Sequence, residues 1–325
     1  MNSNHKTMTK QGFTLVELSF SLIFVGVLSL IIALIINDTI VTYRRGLTLN
    51  QVNTVGMDLV DDIRAAFQNS TAKSVASDCE SIFSDSTSQN RCKAKKGKNL
   101  VSVTYSAKVR IGNVQTTDPV PVFGAICTGN YSYVWNSGYF FNSQHYEVLG
   151  GAKPARLGYR DKDGSIKYEG THNADTAFKL IKIKDRKRAV CTYSSLNLSD
   201  SYSTPNELEN AVRNPTYGPI PNSQITFYTS PTETINEPPV RLLTNDENST
   251  ALALYDLEVF APFESDATKG MFYSASFVLG TIDGAVNIDR SGDFCATPGD
   301  YENAKNDYCS INKFNFSVQT TGEGK

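Results

Sequence analysis

Residues 13–36 read FTLVELSFSLIFVGVLSLIIALII, a run of 24 residues in which Glu17 is the only charged side chain. At ~1.5 Å per residue a helix of that length crosses a hydrocarbon layer ~30 Å thick, so the run is either a membrane helix or a processed signal. It is too long for the ~7–15-residue apolar core of a secretory signal. Ile36-Asn37-Asp38-Thr39 also offers no small-residue cleavage site after it. A membrane helix is the expected form. Residues 1–12 carry Lys6 and Lys10 and no acid. That bias places them in the cytoplasm and everything after Asn37 outside, although Arg44 and Arg45 pull the other way.

A carboxylate inside such a run costs about 2.5–3.5 kcal/mol at mid-bilayer and less near an end, which makes Glu17 a functional residue by default. Its surroundings are specific. Lys10-Gln11-Gly12-Phe13-Thr14-Leu15-Val16-Glu17 has a basic leader, a glycine, an aromatic residue, a glutamate four positions on and a long apolar helix, in that order. This arrangement resembles the processing site of type IV prepilins and the related pseudopilins. The resemblance covers about the first 45 residues.

It implies a leader, residues 1–12, removed by a membrane aspartyl peptidase that cuts after Gly12 and then methylates the new terminal Phe13. Gly12 leaves the scissile backbone without a Cβ in the way, and Phe13 is an apolar first residue that stays in the bilayer. The resemblance also implies that Glu17 pairs with the terminal amine of a neighbouring subunit. The cost of desolvating the acid is then relieved on assembly and fixes register. The implied partners are the prepilin peptidase/methyltransferase, other pilin subunits, an inner-membrane assembly platform, and the membrane itself before assembly. The implied location is a single-pass cytoplasmic membrane protein, N-terminus inside and head outside, that becomes extracellular in a pilus. Pilins of this family often carry a helix-breaking proline in the apolar half; this chain has none before Pro119.

Beyond residues 13–36, the transmembrane and assembly helix, Ile40, Tyr43, Leu47, Val52, Val55, Leu59, Ile63, Ala66 and Phe67 recur at spacings of three to five, with Asp58, Asp61, Asp62 and Arg64 between them. That spacing predicts an amphipathic continuation over residues 37–70, giving one helix of roughly 55 residues and ~80 Å. Gly26 and Gly46 weaken it by about 1 kcal/mol each relative to Ala. Residues 71–325 change character: alternating or β-branched runs at 100–111, 120–127, 131–135, 178–184, 225–229, 251–263 and 271–288 are separated by Gly, Pro, Asn and Asp clusters. They predict a β-rich extracytoplasmic head. The expected fold class is α+β, a long N-terminal helix packed on that head. Asp163-Gly164 reads as a tight hairpin turn. Thr204-Pro205-Asn206-Glu207 reads as the start of a short helix.

The six cysteines are Cys79, Cys92, Cys127, Cys191, Cys295 and Cys309. Six allow fifteen pairings; local spacing favours Cys79 with Cys92 and Cys295 with Cys309, leaving Cys127 with Cys191, and free buried thiols are the alternative. None has zinc spacing, so no metal site is expected. Asp161-Lys162-Asp163-Gly164 and the acids Asp293, Asp300, Glu302 and Asp307 lack the full spacing of a calcium loop and read as turns and solvated loops.

With 31 basic against 33 acidic residues, the chain has no basic face for nucleic acid, and the local cluster over residues 91–98 reads as a solvated loop. No cofactor and no enzyme activity are expected. Ser70-Thr71-Ala72-Lys73 fits S-x-x-K, but no K-T-G follows, and G-x-S-x-G, the phosphate-binding loop and H-E-x-x-H are all missing.

The leading reading is a structural subunit of a type IV pilus serving adhesion, motility or DNA uptake. Its size and bulky head point to a minor pilin in preference to a major one, and Leu252-Ala253-Leu254-Tyr255-Asp256-Leu257-Glu258-Val259 before a late long strand resembles the larger minor pilins. A minor pseudopilin of a type II secretion machine shares the leader and stays open as an alternative. So does a membrane-anchored binding protein or enzyme using a prepilin-type leader.

Overall fold

The computed structural model describes residues 14–70, 86, 102–112, 114–141, 146–194, 224–230, 233–243, 251–260, 272–282 and 309–320. They form an α+β architecture, one long N-terminal helix followed by a β-rich region. By internal contact the chain divides into two units, Met1–Gly46 and Leu47–Lys325.

Helix α1 spans Leu15–Gln68, 54 residues. No proline interrupts it, and two hydroxyl side chains bond back onto the helix: Ser19 Oγ donates to the Leu15 carbonyl at 2.9 Å and Thr39 Oγ1 to that of Ile35 at 2.8 Å. In an apolar stretch this removes the cost of an unpaired hydroxyl. The helix ends where Ser70 N–H turns back to the Phe67 carbonyl at 3.0 Å.

The head is built on a five-stranded antiparallel sheet in the order β1-β4-β5-β9-β11. Its strands are β1 Ser102–Ala107, β4 Val120–Cys127, β5 Tyr131–Asn136, β9 Leu180–Lys184 and β11 Val240–Arg241. β2 Val109–Ile111 pairs with β3 Val114–Gln115 and β6 Tyr146–Val148. β7 Arg156–Arg160 and β8 Ile166–Glu169 form a hairpin, and β10 Thr226–Tyr228 joins β7 in parallel. A third three-stranded sheet is an antiparallel meander of β12 Leu252–Phe260, β13 Phe272–Thr281 and β14 Ile311–Gln319. A short helix α2, Ala189–Ser194, follows β9.

Both faces of the five-stranded sheet are buried, which is why its central strands read as near-continuous apolar runs. On one face Ile126, Tyr133, Trp135 and Leu180 pack with Val52, Leu59, Ile63 and Phe67 of the helix and with the inward side of β12, β13 and β14. On the other face Ala125, Val134, Ile181 and Ile183 pack with Leu157, Ile225 and Phe227. β14 shows the one-sided pattern of a half-buried strand: Phe314, Phe316 and Val318 inside, Lys313, Asn315 and Ser317 outside.

The helix-to-sheet seam includes one polar clasp. Asp62 accepts from Lys182 Nζ at 2.7 Å and from the Tyr133 hydroxyl at 2.8 Å, with Lys182 lying 4.4 Å from the Tyr131 ring centre. Burial, then the Asp62 charge, pushes the Tyr133 phenol well above its ordinary range. Val52, Leu59, Ile63, Ala66 and Phe67 are buried, whereas Ile40, Tyr43 and Leu47 are exposed. The five-residue step from Leu47 to Val52 turns the helix surface by about 140°, so Leu47 points away from the buried set.

Cys127 on β4 and Cys191 on α2 are disulfide-bonded and wholly buried. Cys309 is also disulfide-bonded. Cys79, Cys92, Cys295, the acids over residues 293–307, the basic cluster at 91–98 and the helix start at 204–207 lie outside the described residues.

Candidate functional site

Gly12 and Phe13 lie outside the described residues; Glu17 lies in the first turn of α1. Thr14 N–H donates to Glu17 Oε2 at 2.9 Å, the Thr14 hydroxyl donates to the same oxygen at 2.9 Å, and Glu17 N–H donates to Thr14 Oγ1 at 3.3 Å. This reciprocal arrangement satisfies helix-start donors that have no intrahelical partner. The sequence signal was available, since Thr14-Leu15-Val16-Glu17 spells T-x-x-E, but the glutamate's role as a cap is not among the expectations above. The glutamate that the resemblance assigns to subunit pairing therefore has an internal partner within its own chain.

Every large apolar side chain over residues 15–36 is exposed, between 47% and 82%. A helix apolar all round and unburied requires a nonaqueous neighbour, lipid or protein. The helix is long and apolar enough to span a membrane.

The head carries a second feature, an open cleft of about 500 Å³. Its floor comes from the chain reversal after β5. Ser137 caps a 3₁₀ turn, Gly138–Phe140, that delivers Tyr139 and Phe140, and β6 adds Tyr146; all three rings are almost completely buried. Tyr139 meets Tyr146 edge-on at 5.0 Å and Tyr255 at 5.3 Å. Gly138 is required here because a Cβ would strike the Tyr255 ring.

The rim comes from two segments locked by Asn136. This buried amide donates to the Ala155 and Phe178 carbonyls, both at 2.9 Å, and accepts from Ala155 N–H at 2.7 Å. One segment brings Lys153, the other His172 and Asn173. His172 donates Nδ1–H to the Pro154 carbonyl at 2.9 Å. Burial lowers its affinity for a second proton, the bond to Pro154 opposes this, and Arg156 and Lys153 add to the lowering. The imidazole is therefore neutral near pH 7, with its proton on Nδ1.

Two of the remaining candidates have local bonding partners. Ser70 is buried and its hydroxyl donates to the Phe67 carbonyl at 2.6 Å, while Lys73 lies outside the described residues. Asp163 is committed to its hairpin turn: it accepts from Ser165 N–H at 2.8 Å and from the Ser165 hydroxyl, and Lys167 Nζ stands 3.4 Å away. Among the described residues no group of three or more His, Cys, Asp or Glu is placed to hold a metal.

No family model, no curated protein and no solved structure matches this chain.

Proposed function

We propose that the chain is a structural subunit of a type IV pilus, a minor pilin in preference to a major one. In this reading it is cut after Gly12, methylated on Phe13 and polymerised through α1. The observation that carries the proposal is the order Lys10-Gln11-Gly12-Phe13-Thr14-Leu15-Val16-Glu17 leading directly into an unbroken helix with an all-round apolar first half. Before assembly lipid covers that surface; afterwards sister helices do. The head stays on the outer side, and the expected final location is the extracellular filament.

The Thr14–Glu17 bonds add a detail to the pairing step. Until a neighbouring amine arrives, Thr14 supplies donors to the carboxylate, which lessens the cost of holding it in the membrane. Assembly then exchanges an internal partner for a charged one.

The peptidase step is tested with Gly12→Val. The variant precursor stays at full length on an immunoblot of whole cells, whereas the wild type is shortened by the leader; mature-length protein from the variant refutes the processing claim. Labelling the head on purified filaments then separates the readings. Label at one end supports a minor pilin, label along the shaft a major pilin, and label on secretion-machine pseudopili overturns the pilus assignment.

A further inference from the structure

The cleft on the head joins an apolar aromatic floor to three polar groups with no partner among the described residues. Lys153 Nζ makes no ion pair or hydrogen bond. Asn173 Oδ1 accepts from Asp175 N–H at 3.1 Å, but its Nδ2 donates to nothing. His172 spends Nδ1–H on Pro154 and keeps Nε2 as an unused acceptor. Among the described residues, none that lines the cleft is acidic. Its volume, about 500 Å³, falls within the ~300–1,000 Å³ typical of small-molecule sites.

These groups define a complement. Lys153 and the Asn173 amide call for an anionic oxygen acceptor; the His172 acceptor calls for a hydroxyl donor; Tyr139, Phe140 and Tyr146 call for an apolar ring edge. A phosphate ester is a poorer match, because a dianion asks for more than one cation or a glycine-rich cradle of backbone N–H groups, and among the described residues the cleft is lined by one lysine. A purely apolar ligand would strand all three polar groups. A carboxylated sugar satisfies every term, with its carboxylate, ring hydroxyls and C–H face on one small molecule.

We propose that the head binds an acidic saccharide of the hexuronate class in this cleft. Lys153 and Asn173 hold the carboxylate, His172 accepts a ring hydroxyl, and the aromatic floor packs against the sugar ring. The proposal does not depend on the assembly reading, since every residue it uses belongs to the head.

The test is calorimetric titration of the full-length chain in detergent micelles with digalacturonate, with the uncharged disaccharide galactobiose and with acetate. Saturable 1:1 binding of digalacturonate, at least about tenfold tighter than galactobiose or acetate, is expected. Lys153→Gln, at an exposed position, weakens it about tenfold with an unchanged melting temperature, and Asn173→Ala weakens it less. Raising the salt concentration lowers the affinity of the wild type and has less effect on Lys153→Gln. The proposal is overturned by no saturation up to about 10 mM, by galactobiose or acetate binding as well as digalacturonate, or by correctly folded Lys153→Gln and Asn173→Ala that both bind like the wild type.

Discussion

Gly56 of α1 lies so close to the ring of Phe314 on β14 that a β-carbon added at the glycine would overlap the ring. The helix and the last strand thus meet at a contact only a residue without a side chain permits. Ala is favoured over Gly in a helix interior by about 1 kcal/mol, but forcing an extra carbon into a packed seam costs about 1–3 kcal/mol. Gly56→Ala is therefore neutral to destabilising by up to about 2 kcal/mol, against its helix propensity. Urea unfolding followed by fluorescence of Trp135, the single and fully buried tryptophan, measures it. Pairing Gly56→Ala with Phe314→Leu recovers part of the loss, and strictly additive effects would contradict the contact.

The Cys127–Cys191 bridge closes a sequence separation of 64 residues and ties α2 to the central sheet. Replacing both cysteines with serine lowers head stability by about 2–5 kcal/mol, read as a shift of the urea midpoint. A smaller change than about 1 kcal/mol would mean that the buried packing around α2 suffices without the bond.

Asp163 gives a pH signature. Hydrogen bonds from the Ser165 hydroxyl and N–H, with a smaller contribution from Lys167, lower its carboxyl from the ordinary 3.8 to about 2. A carboxyl lowered in the folded state favours folding above its unfolded pKa, and that contribution is lost as pH falls from about 3.8 through about 2. An NMR titration of the side-chain carbon shows the low midpoint, and Ser165→Ala moves it upward. Added calcium leaves the resonance in place, because the turn already uses the carboxylate.

Glu17→Leu removes the one charge of the apolar run together with its bonds to Thr14, and leaves the run uncharged and free of proline. The variant inserts into the membrane and is processed, but is missing from sheared filaments; incorporation equal to wild type would refute a role in subunit pairing.

The residues differ in how much they revealed beforehand. α1 was readable because a proline-free apolar run has one stable form, and β1, β4, β5, β9, β10, β12 and β13 were readable because apolar and β-branched runs between turn residues leave few other options. β14 was also present as a strict alternation, Phe314-Asn315-Phe316-Ser317-Val318, yet it is not among the expected strands. β11, two exposed residues, and α2, whose six residues are held by Asp185 and a disulfide, have too little local pattern to stand out. Of the cleft, neither Lys153 nor Asn173 carries any motif; they matter only because Asn136 fixes the two segments that bear them.

Hydrophobic length and periodicity along the chain were enough to determine a membrane-length helix and a β-rich head, because both follow from burying apolar groups and pairing backbone groups locally. Which side of that helix faces the sheet was decided only in three dimensions. A five-residue step rotates Leu47 away from Val52, and Gly56 finds its reason in a ring from the far end of the chain. Contacts between distant segments depend on shape as well as apolar character, and shape is not written in the order of residues.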